Sequence, residues 1–285
     1  MTTMQKPKKR NWLILALAAL TLVITTFGAT PKAQAATSYY QVANLKKVDY
    51  YTKVGANTTH NYGIYTSGGY KTSAANVTAI AHGRDYAGKF IHVTRTETTA
   101  QGTWVRFLYN HKQVGWMGVN GTDKTYYRAM APLIGQRPEL PTGCEITATT
   151  MMLQFAGANV TKLSLAKEMP RSSDPNKGFV GSPYSTSGWY IYPGGLMALV
   201  KKHAGSAINM TGDSLTKVKA QVRKNHLVVL WVANLDGFSN HAVCVTGYSS
   251  TRIYYNDPWL VKRTSMTNAN MTSHRKGDAY RALSY

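Results

Sequence analysis

The pattern of apolar residues changes character once along this chain, near residue 132. Before that point, apolar and polar side chains alternate in short stretches such as YYQVANLKKVDYYTKV, GKFIHVTRTE and WVRFLYN. Glycine-rich or polar breaks separate these stretches, and a helical period is lacking, so they predict short β-strands joined by turns. Residues 38–122 are therefore expected to form a small all-β unit.

The second half begins with helical patterns and ends with strands. Helices are predicted within PTGCEITATTMMLQFAGANV, SLAKEM and PGGLMALVKKHAG, the last of which ends at Gly205. Three apolar, β-branched runs follow and predict strands: HLVVLWVA, HAVCVTGY and TRIYYND. Helices followed by a sheet are typical of an α+β domain and not of a doubly wound one. Residues 170–190 are rich in Pro, Ser and Gly and predict a long loop that borders a binding cleft.

The first 35 residues have the pattern of an export signal. Basic residues between positions 6 and 10 precede the apolar run WLILALAALTLVITTFGA, and the small-x-small sequence Ala33-Gln34-Ala35 follows it. This order predicts a leader, residues 1–35, that is cleaved after Ala35. A single membrane anchor is the alternative, because the apolar run is long for a leader. We expect cleavage, no membrane segment in the mature chain, and secretion to the wall or surface of a Gram-positive type of cell.

The composition is strongly basic. The chain has 33 Lys and Arg residues against 12 Asp and Glu residues, which gives a formal net charge of +21. The predicted leader carries five of these positive charges and no acid, so the mature chain keeps +16. Such an excess favours polyanionic partners through long-range attraction. For an exported protein these are wall teichoic acid, lipoteichoic acid or anionic lipid head groups, and nucleic acid is disfavoured.

Four stretches of the first half resemble a known wall-binding module: YYQVANLKKVDYYTKV, GIYTSGGYKT, YAGKFIHVTRTETTAQGTW and VGWMGVNG. They are similar to one bacterial SH3-like module of the GW type, named for a Gly-Trp pair that is Gly115-Trp116 here. The resemblance implies a small all-β SH3-like barrel over residues 38–125 that binds teichoic-acid-type polymers or peptidoglycan. Trp104 and Trp116 are the candidate wall-binding residues, and the alternative is that they fill a small core.

Cys144 stands directly before a helical pattern, in LPTGCEITATTMML. Thr142 and Glu145 are three residues apart, which predicts a capping box with Thr142 as N-cap. Cys144 would then lie in the first helical turn, where the helix dipole and free backbone N–H groups favour a thiolate. The alternative is a disulfide with Cys244, which export to an oxidising compartment permits.

His241 opens the predicted strand HAVCVTGY, directly after the loop LDGFSN, where it can face a cleft. Alternation along the strand places His241 and Cys244 on opposite faces, so a His241 that faces Cys144 makes the disulfide awkward. Asp257 ends the strand TRIYYND and could accept the second imidazole N–H. A surface histidine and a plain turn residue are the alternatives for these two positions.

The stretches GQRPELPTGCEITATTMMLQFAG, SNHAVCVTGY and YYNDPW resemble, in this order, the papain-like cysteine peptidases related to those that process bacteriocin leaders after a double glycine. The similarity is to their stand-alone, exported relatives and spans residues 132–285. It implies an α+β papain-like domain whose N-terminal helix carries the cysteine and whose antiparallel sheet carries the histidine and the aspartate. Carried over residue by residue, Cys144 is the nucleophile, His241 the base, Asp257 the orienting carboxylate and Gln136 the oxyanion-hole glutamine.

Together these patterns predict an exported, wall-associated cysteine peptidase that hydrolyses a peptide or isopeptide bond. Its expected substrate is a peptide or the peptide part of peptidoglycan. Transpeptidation or amide transfer on the same triad is one alternative, and a wall-binding protein with an idle papain-like domain is another. Because His, Cys and Asp residues lack the sequence spacing of a zinc site, neither a metal nor a cofactor is expected.

Overall fold

The computed structural model describes residues 42–56, 61–68, 78–100 and 102–285. The predicted leader lies outside these ranges, as does part of the stretch GIYTSGGYKT. All the described residues belong to one compact unit, Thr37–Tyr285. Among them, a helix with the length and apolar character needed to cross a membrane is not found.

The described residues form thirteen strands and five α-helices. The strands are β1 (Val42–Lys53), β2 (Gly63–Ile64), β3 (Ala81–His82), β4 (Phe90–Thr99), β5 (Gly102–Tyr109), β6 (Lys112–Gly118), β7 (Tyr127–Ala129), β8 (Ile208–Asn209), β9 (Val228–Val232), β10 (His241–Tyr248), β11 (Arg252–Asp257), β12 (Lys262–Thr267) and β13 (Ala282–Ser284). The helices are α1 (Cys144–Phe155), α2 (Lys162–Glu168), α3 (Pro193–Ala204), α4 (Leu215–Arg223) and α5 (Asn268–Gly277).

Eleven of these strands form one large antiparallel sheet, in the order β6-β5-β4-β1-β7-β10-β9-β13-β8, with β11 and β12 added beside β10. The pairs Tyr50↔Ala129 and Tyr51↔Arg128 join β1 to β7, and Arg128↔Gly247 joins β7 to β10. The strands of the first half are therefore continuous with the sheet of the second half. Bridges from Val54 to Thr122 and from Tyr65 to Trp116 connect the ends of the first-half meander, while its closure into an SH3-like barrel stays a prediction.

The α+β character predicted for the second half is confirmed. Helices α1 and α3 lie within two of the predicted helical patterns, and α2 overlaps the third, SLAKEM, but begins two residues before it. Strands β9 to β11 lie within the three predicted strands. Helix α3 ends at Ala204, followed by Gly205 in a left-handed conformation with φ +81°, as is usual for glycine after a helix.

Sequence analysis missed α4 and α5, both of which are rich in polar residues. The signal for α4 was nevertheless present, because the Ser214 hydroxyl accepts a hydrogen bond from the Lys217 N–H as an N-cap. In addition, Val218 and Val222 are one helical turn apart and buried.

Helix α1 lies in the middle of the molecule and packs mainly against β10 and β9. Every residue from Cys144 to Leu153 is buried, including Glu145 and three threonines. Its threonines are accommodated partly by local bonds, since the Thr150 hydroxyl donates to the Ile146 carbonyl over 2.7 Å. This packing fixes the N-terminus of α1, and with it Cys144, against the start of β10.

Gly115 lies where β6 passes closest to the segment that contains Ile64 and Tyr65. Tyr65 and Trp116 exchange two backbone hydrogen bonds of 2.9 and 2.8 Å. A Cβ atom on Gly115 would lie 2.6 Å from the Tyr65 carbonyl oxygen, well inside van der Waals contact. Close approach of two backbones is therefore the reason for glycine in this Gly-Trp pair.

We expect Gly115→Ala to lower the free energy of unfolding by about 1–3 kcal/mol, because the added methyl group forces the two backbones apart. Gly118→Ala on the same strand is the matched control, since its Cβ would meet nothing closer than Tyr62 Cδ1 at 3.8 Å. Urea unfolding followed by tryptophan fluorescence measures both. Equal losses of stability in the two variants would contradict this account of Gly115.

Candidate active site

A pocket of about 550 Å³ opens beside the N-terminus of α1. Cys144, His241 and Gln136 all line it, so three of the four predicted catalytic residues meet at one cavity. Part of its wall comes from the long loop predicted over residues 170–190, through Thr186, Gly188, Trp189 and Tyr190. The expectation that this loop borders a cleft is confirmed.

The predicted capping box at Thr142 is wrong. Helix α1 begins at Cys144 with Gly143 as N-cap, and the cap carries no side-chain hydrogen bond. The Thr142 hydroxyl is turned away from the helix and donates to the carbonyls of Ser185 and Ser182, over 2.9 and 3.3 Å. Thr142 thus holds the long loop against the pocket. Cys144 occupies the first helical position, where its backbone N–H has no partner within the helix.

Glu145 points inward beneath Cys144 and is completely buried. The Cys144 thiol donates to its Oε2 over 3.3 Å, and the Ile191 N–H donates to its Oε1 over 3.4 Å. Burial raises the pKa of Glu145 to about 8, so this carboxyl is mostly protonated at neutral pH. The pair formed by Cys144 and Glu145 is therefore uncharged in the resting protein.

Residue Cys144 is 8% exposed, and the pKa of its thiol is raised well above the usual value. Burial is the main cause, followed by the charge that Glu145 carries once it ionises near pH 8 and by the hydrogen bond to Glu145, while the Ala242 N–H acts in the opposite direction. The expectation that the helix N-terminus keeps Cys144 as a thiolate is therefore wrong for the resting protein. A disulfide is also absent, because Cys144 and Cys244 are both buried free thiols.

His241 and Asp257 meet at the start of β10 and the end of β11. His241 Nε2 lies 3.2 Å from Asp257 Oδ1, and both side chains are almost completely buried. Because a carboxylate only accepts hydrogen bonds, Nε2 carries the proton and Nδ1 is left as the basic nitrogen. The ring of Phe238 stacks on the imidazole at a centroid distance of 5.5 Å and fixes its plane.

Asp257 is held as an ionised acceptor. Its Oδ1 also receives the backbone N–H groups of Trp259 and Leu260, over 2.8 and 3.1 Å. Burial alone would raise its pKa, but the hydrogen bond from His241, the neighbouring Asp236 carboxyl and the charge of His241 lower it to about 2. A permanent negative charge at this position stabilises a protonated His241.

Asp236 is a neighbour of this pair that sequence analysis did not identify. It lies in the loop between β9 and β10, and its Oδ2 is 4.0 Å from His241 Nε2. Side-chain atoms of Asp236, His241 and Asp257 lie within 4.8 Å of one another, a spacing that can suit a metal ion. The direct bond between His241 and Asp257 occupies the nitrogen that a metal would need, however. The cluster is invisible in sequence spacing because its members lie on three separate segments.

Gln136 is buried beside the pocket, with 2% of its surface exposed. Its Nε2 donates one hydrogen to the Pro141 carbonyl over 2.9 Å, and its backbone N–H donates to the Pro258 carbonyl over 2.9 Å. These bonds fix the side-chain amide between the segment before α1 and the end of β11. The second hydrogen of Nε2 remains available, because a primary amide has two.

The two tryptophans predicted to bind the wall differ in exposure. Trp116 is 8% exposed and packs inside the first-half meander. Trp104 on β5 is half-buried and packs edge to face against Tyr65, with ring centroids 6.0 Å apart. Of the two, Trp104 is the more exposed.

Comparisons with known proteins match the two halves of the chain to two different families. Residues 44–122 match the GW (Gly-Tryp) dipeptide domain, and residues 125–285 match the Peptidase_C39 like family. The uncharacterized protein YvpB of Bacillus subtilis (strain 168) is 33% identical in an alignment of 165 residues that covers 46% of this chain and 66% of that protein. This chain thus spans just under two thirds of the length of YvpB. A crystal structure of a proposed C39-like peptidase from Bacillus anthracis is similar with a TM-score of 0.51 and 30% identity, covering 55% of this chain and 94% of that one.

Proposed function

This chain belongs to the Peptidase_C39 like family, and on that premise we propose that it is an exported, wall-associated cysteine peptidase that hydrolyses a peptide or isopeptide bond. The observation that carries the proposal is the meeting of Cys144, His241 and Gln136 at one pocket, with Asp257 hydrogen-bonded behind His241. Nucleophile, base and orienting carboxylate are the three groups that acyl transfer by a thiol requires.

In the first step, His241 Nδ1 takes the thiol proton while Cys144 Sγ attacks the carbonyl carbon. Proton removal accompanies attack because the thiol is neutral at rest, with a raised pKa. Before this, the thiol has to leave its hydrogen bond with Glu145. The imidazolium that forms is stabilised by the ionised carboxylate of Asp257.

The oxyanion of the tetrahedral intermediate needs two donors. The first is the backbone N–H of Cys144, which is free at the helix N-terminus. The second is the remaining Nε2 hydrogen of Gln136, whose direction is fixed by the bond to Pro141. Collapse of the intermediate breaks the C–N bond, and His241 gives its proton to the leaving amine. Water, deprotonated by His241, then cleaves the thioester and releases the acid and the Cys144 thiol.

The first half supports attachment to the wall. It matches the GW domain over residues 44–122, a type of module that binds teichoic-acid-type polymers or peptidoglycan. The net charge of +21 favours the anionic polymers among these through long-range attraction. Trp104 is the first candidate contact residue because it is the more exposed of the two tryptophans, and the buried Trp116 is the second. We place the leader at residues 1–35, the wall-binding domain at 38–125 and the peptidase domain at 132–285.

Alkylation by iodoacetamide, read by peptide mass spectrometry without reductant, tests whether Cys144 is a prepared nucleophile. We expect Cys144 to be modified in the folded protein and Cys244 to remain unmodified, because Cys144 lines the pocket and Cys244 is 0% exposed. His241→Ala should slow the modification of Cys144 at least about tenfold, because the thiol then lacks its base.

The matched control is His203→Ala on α3, whose ring pairs with Glu168 outside the pocket. It should leave the alkylation rate unchanged. If Cys144 resists alkylation in the folded wild-type protein, the domain is idle and the proposed chemistry fails. Equal rates in wild type and His241→Ala would refute the role of His241 as base.

A further inference from the structure

A second carboxylate faces the His241–Asp257 pair from the loop between β9 and β10. Asp236 Oδ2 lies 4.0 Å from His241 Nε2, compared with 3.2 Å for Asp257 Oδ1. The backbone at Asp236 is left-handed, with φ +53°, and the Phe238 N–H closes the turn by donating to the Leu235 carbonyl over 3.0 Å. A non-glycine residue adopts this conformation at a cost, so the loop conformation is one that the fold imposes. It brings the Asp236 carboxyl to the buried pair.

Asp257 has one oxygen that lacks a donor. Its Oδ1 accepts hydrogen bonds from His241 and from the backbone N–H groups of Trp259 and Leu260. Its Oδ2 is buried and has no hydrogen-bond partner in the described part of the chain. A buried carboxylate oxygen without a donor is costly, so a hydrogen-bond donor is expected at this position.

Protonated Asp236 supplies that donor. Burial, followed by the nearby Asp257 carboxylate, raises the pKa of Asp236 to about 6, whereas the pKa of Asp257 is lowered to about 2. At a pH between these two pKa values, the two carboxyl groups together hold one proton, and this proton resides on Asp236. The Asp236 side chain is 18% exposed and that of Asp257 is 1% exposed. Asp236 is therefore the member that exchanges its proton with solvent.

We propose that Asp236 is a positioning residue of the Cys144 site: its O–H donates to Asp257 Oδ2, and when it loses that proton to water it adds a second negative charge beside His241. The inference rests on the proposed function. With the proton in place, the hydrogen bond orients Asp257 so that Oδ1 stays on Nε2. Without that proton, two carboxylates face the imidazolium that forms when His241 takes the thiol proton. Their two negative charges favour the transfer of the proton from Cys144 to His241.

Two other titratable groups face Asp236 from neighbouring elements. His274 on α5 opposes the rise in the pKa of Asp236 through its charge, while its Nδ1 is engaged with the Ala233 carbonyl over 2.7 Å. Tyr255 on β11 stays neutral, because burial, followed by the charges of Asp257 and Asp236, raises its pKa to about 12. Neither side chain donates to the unpaired oxygen in the described contacts.

Carboxyl carbon-13 NMR of the labelled full chain, followed from pH 3 to 9, tests the shared proton without any need for activity. The Asp236 resonance is assigned by its loss in Asp236→Asn. We expect its midpoint near pH 6, and a shift to lower pH in Asp257→Asn, because both the neighbouring charge and the acceptor are removed. A midpoint near 4 in the wild type, or one that Asp257→Asn leaves unchanged, overturns the inference. So does a bound divalent ion whose removal by EDTA abolishes the titration.

The rate of Cys144 alkylation in Asp236→Asn provides the second test, because the asparagine NH₂ group imitates protonated Asp236 at every pH. We expect wild type and variant to react equally at pH 5, and wild type to react about tenfold faster at pH 7.5, the effect of about one pKa unit from a second nearby charge. Asp174→Asn, in an exposed loop, is the matched control and should follow the wild type. An identical ratio of rates at both pH values overturns the inference. If Cys144 reacts in none of the proteins, the proposed function fails, and the NMR titration still decides the role of Asp236.

Discussion

Replacing Cys144 by alanine is expected to abolish hydrolysis, with kcat lower by about 10⁴-fold or more. The reason is that Cys144 is the one thiol among the described residues that line the pocket: Cys244 is fully buried on β10, away from the pocket lining. The measurement is mass spectrometry of peptides released from purified cell walls, read as new amino termini. His241→Ala should cause a loss of similar size, and the double variant little more, because the two residues act as a unit.

Cys244→Ala is the matched control for this experiment. It removes a thiol of the same chemistry from the core, and the hydrolytic rate of the folded protein should stay within about threefold of wild type because the pocket is untouched. Hydrolysis that survives in Cys144→Ala would refute the assignment of the nucleophile.

Adding an amine acceptor to the wild-type protein distinguishes hydrolysis from transfer. Hydrolysis yields a free acid, whereas transfer to the amine yields an amide.

Replacing Trp231 by alanine is expected to lower the free energy of unfolding by about 3–5 kcal/mol. Trp231 on β9 is 0% exposed, and its Nε1 donates to the Ile191 carbonyl over 2.9 Å. The substitution therefore opens a large cavity and also leaves a buried carbonyl without its donor. Ile191 is the residue whose N–H holds Glu145, so we expect the pocket wall to loosen in the same variant. Urea unfolding gives the stability directly.

Trp189→Ala is the control, because this tryptophan borders the same loop but is 64% exposed. Its stability should remain within about 0.5 kcal/mol of wild type. A comparable loss in both variants would mean that Trp231 contributes no more than surface packing. That result would contradict the complete burial of Trp231 on β9.

Local periodicity was sufficient to predict much of the second half. The apolar run after Cys144 predicts α1, and the β-branched runs predict β9 to β11, because each of these elements is fixed by its own buried face. Helices α4 and α5 were missed because their apolar faces are narrow and their polar residues dominate the pattern. The order of Cys144, His241 and Asp257 along the chain was also readable, and the structure brings these segments together.

Other features of the site depend on contacts that a local pattern does not contain. Thr142 and Glu145 have the spacing of a capping box, but the loop carbonyls of Ser182 and Ser185 compete for the threonine hydroxyl and the glutamate is drawn into the core. The raised pKa of Cys144 follows from that burial and outweighs the helix dipole. Asp236 could not be found from sequence because its distance to His241 is set by the turn between two strands.

The pairing of β1 with β7, and of β7 with β10, has a consequence for how the protein could work on a wall. Backbone hydrogen bonds join the two halves of the chain into one sheet, so the first half is not connected to the pocket by a flexible tether. A tethered enzyme samples a volume set by its linker length, and its effective concentration falls as that linker grows. Here the distance between an attachment point on β5 and the sulfur of Cys144 is fixed by the shared sheet. Bonds at that distance from the point of attachment would be cut repeatedly. Bonds at other distances would be cut only after the protein dissociates and binds again.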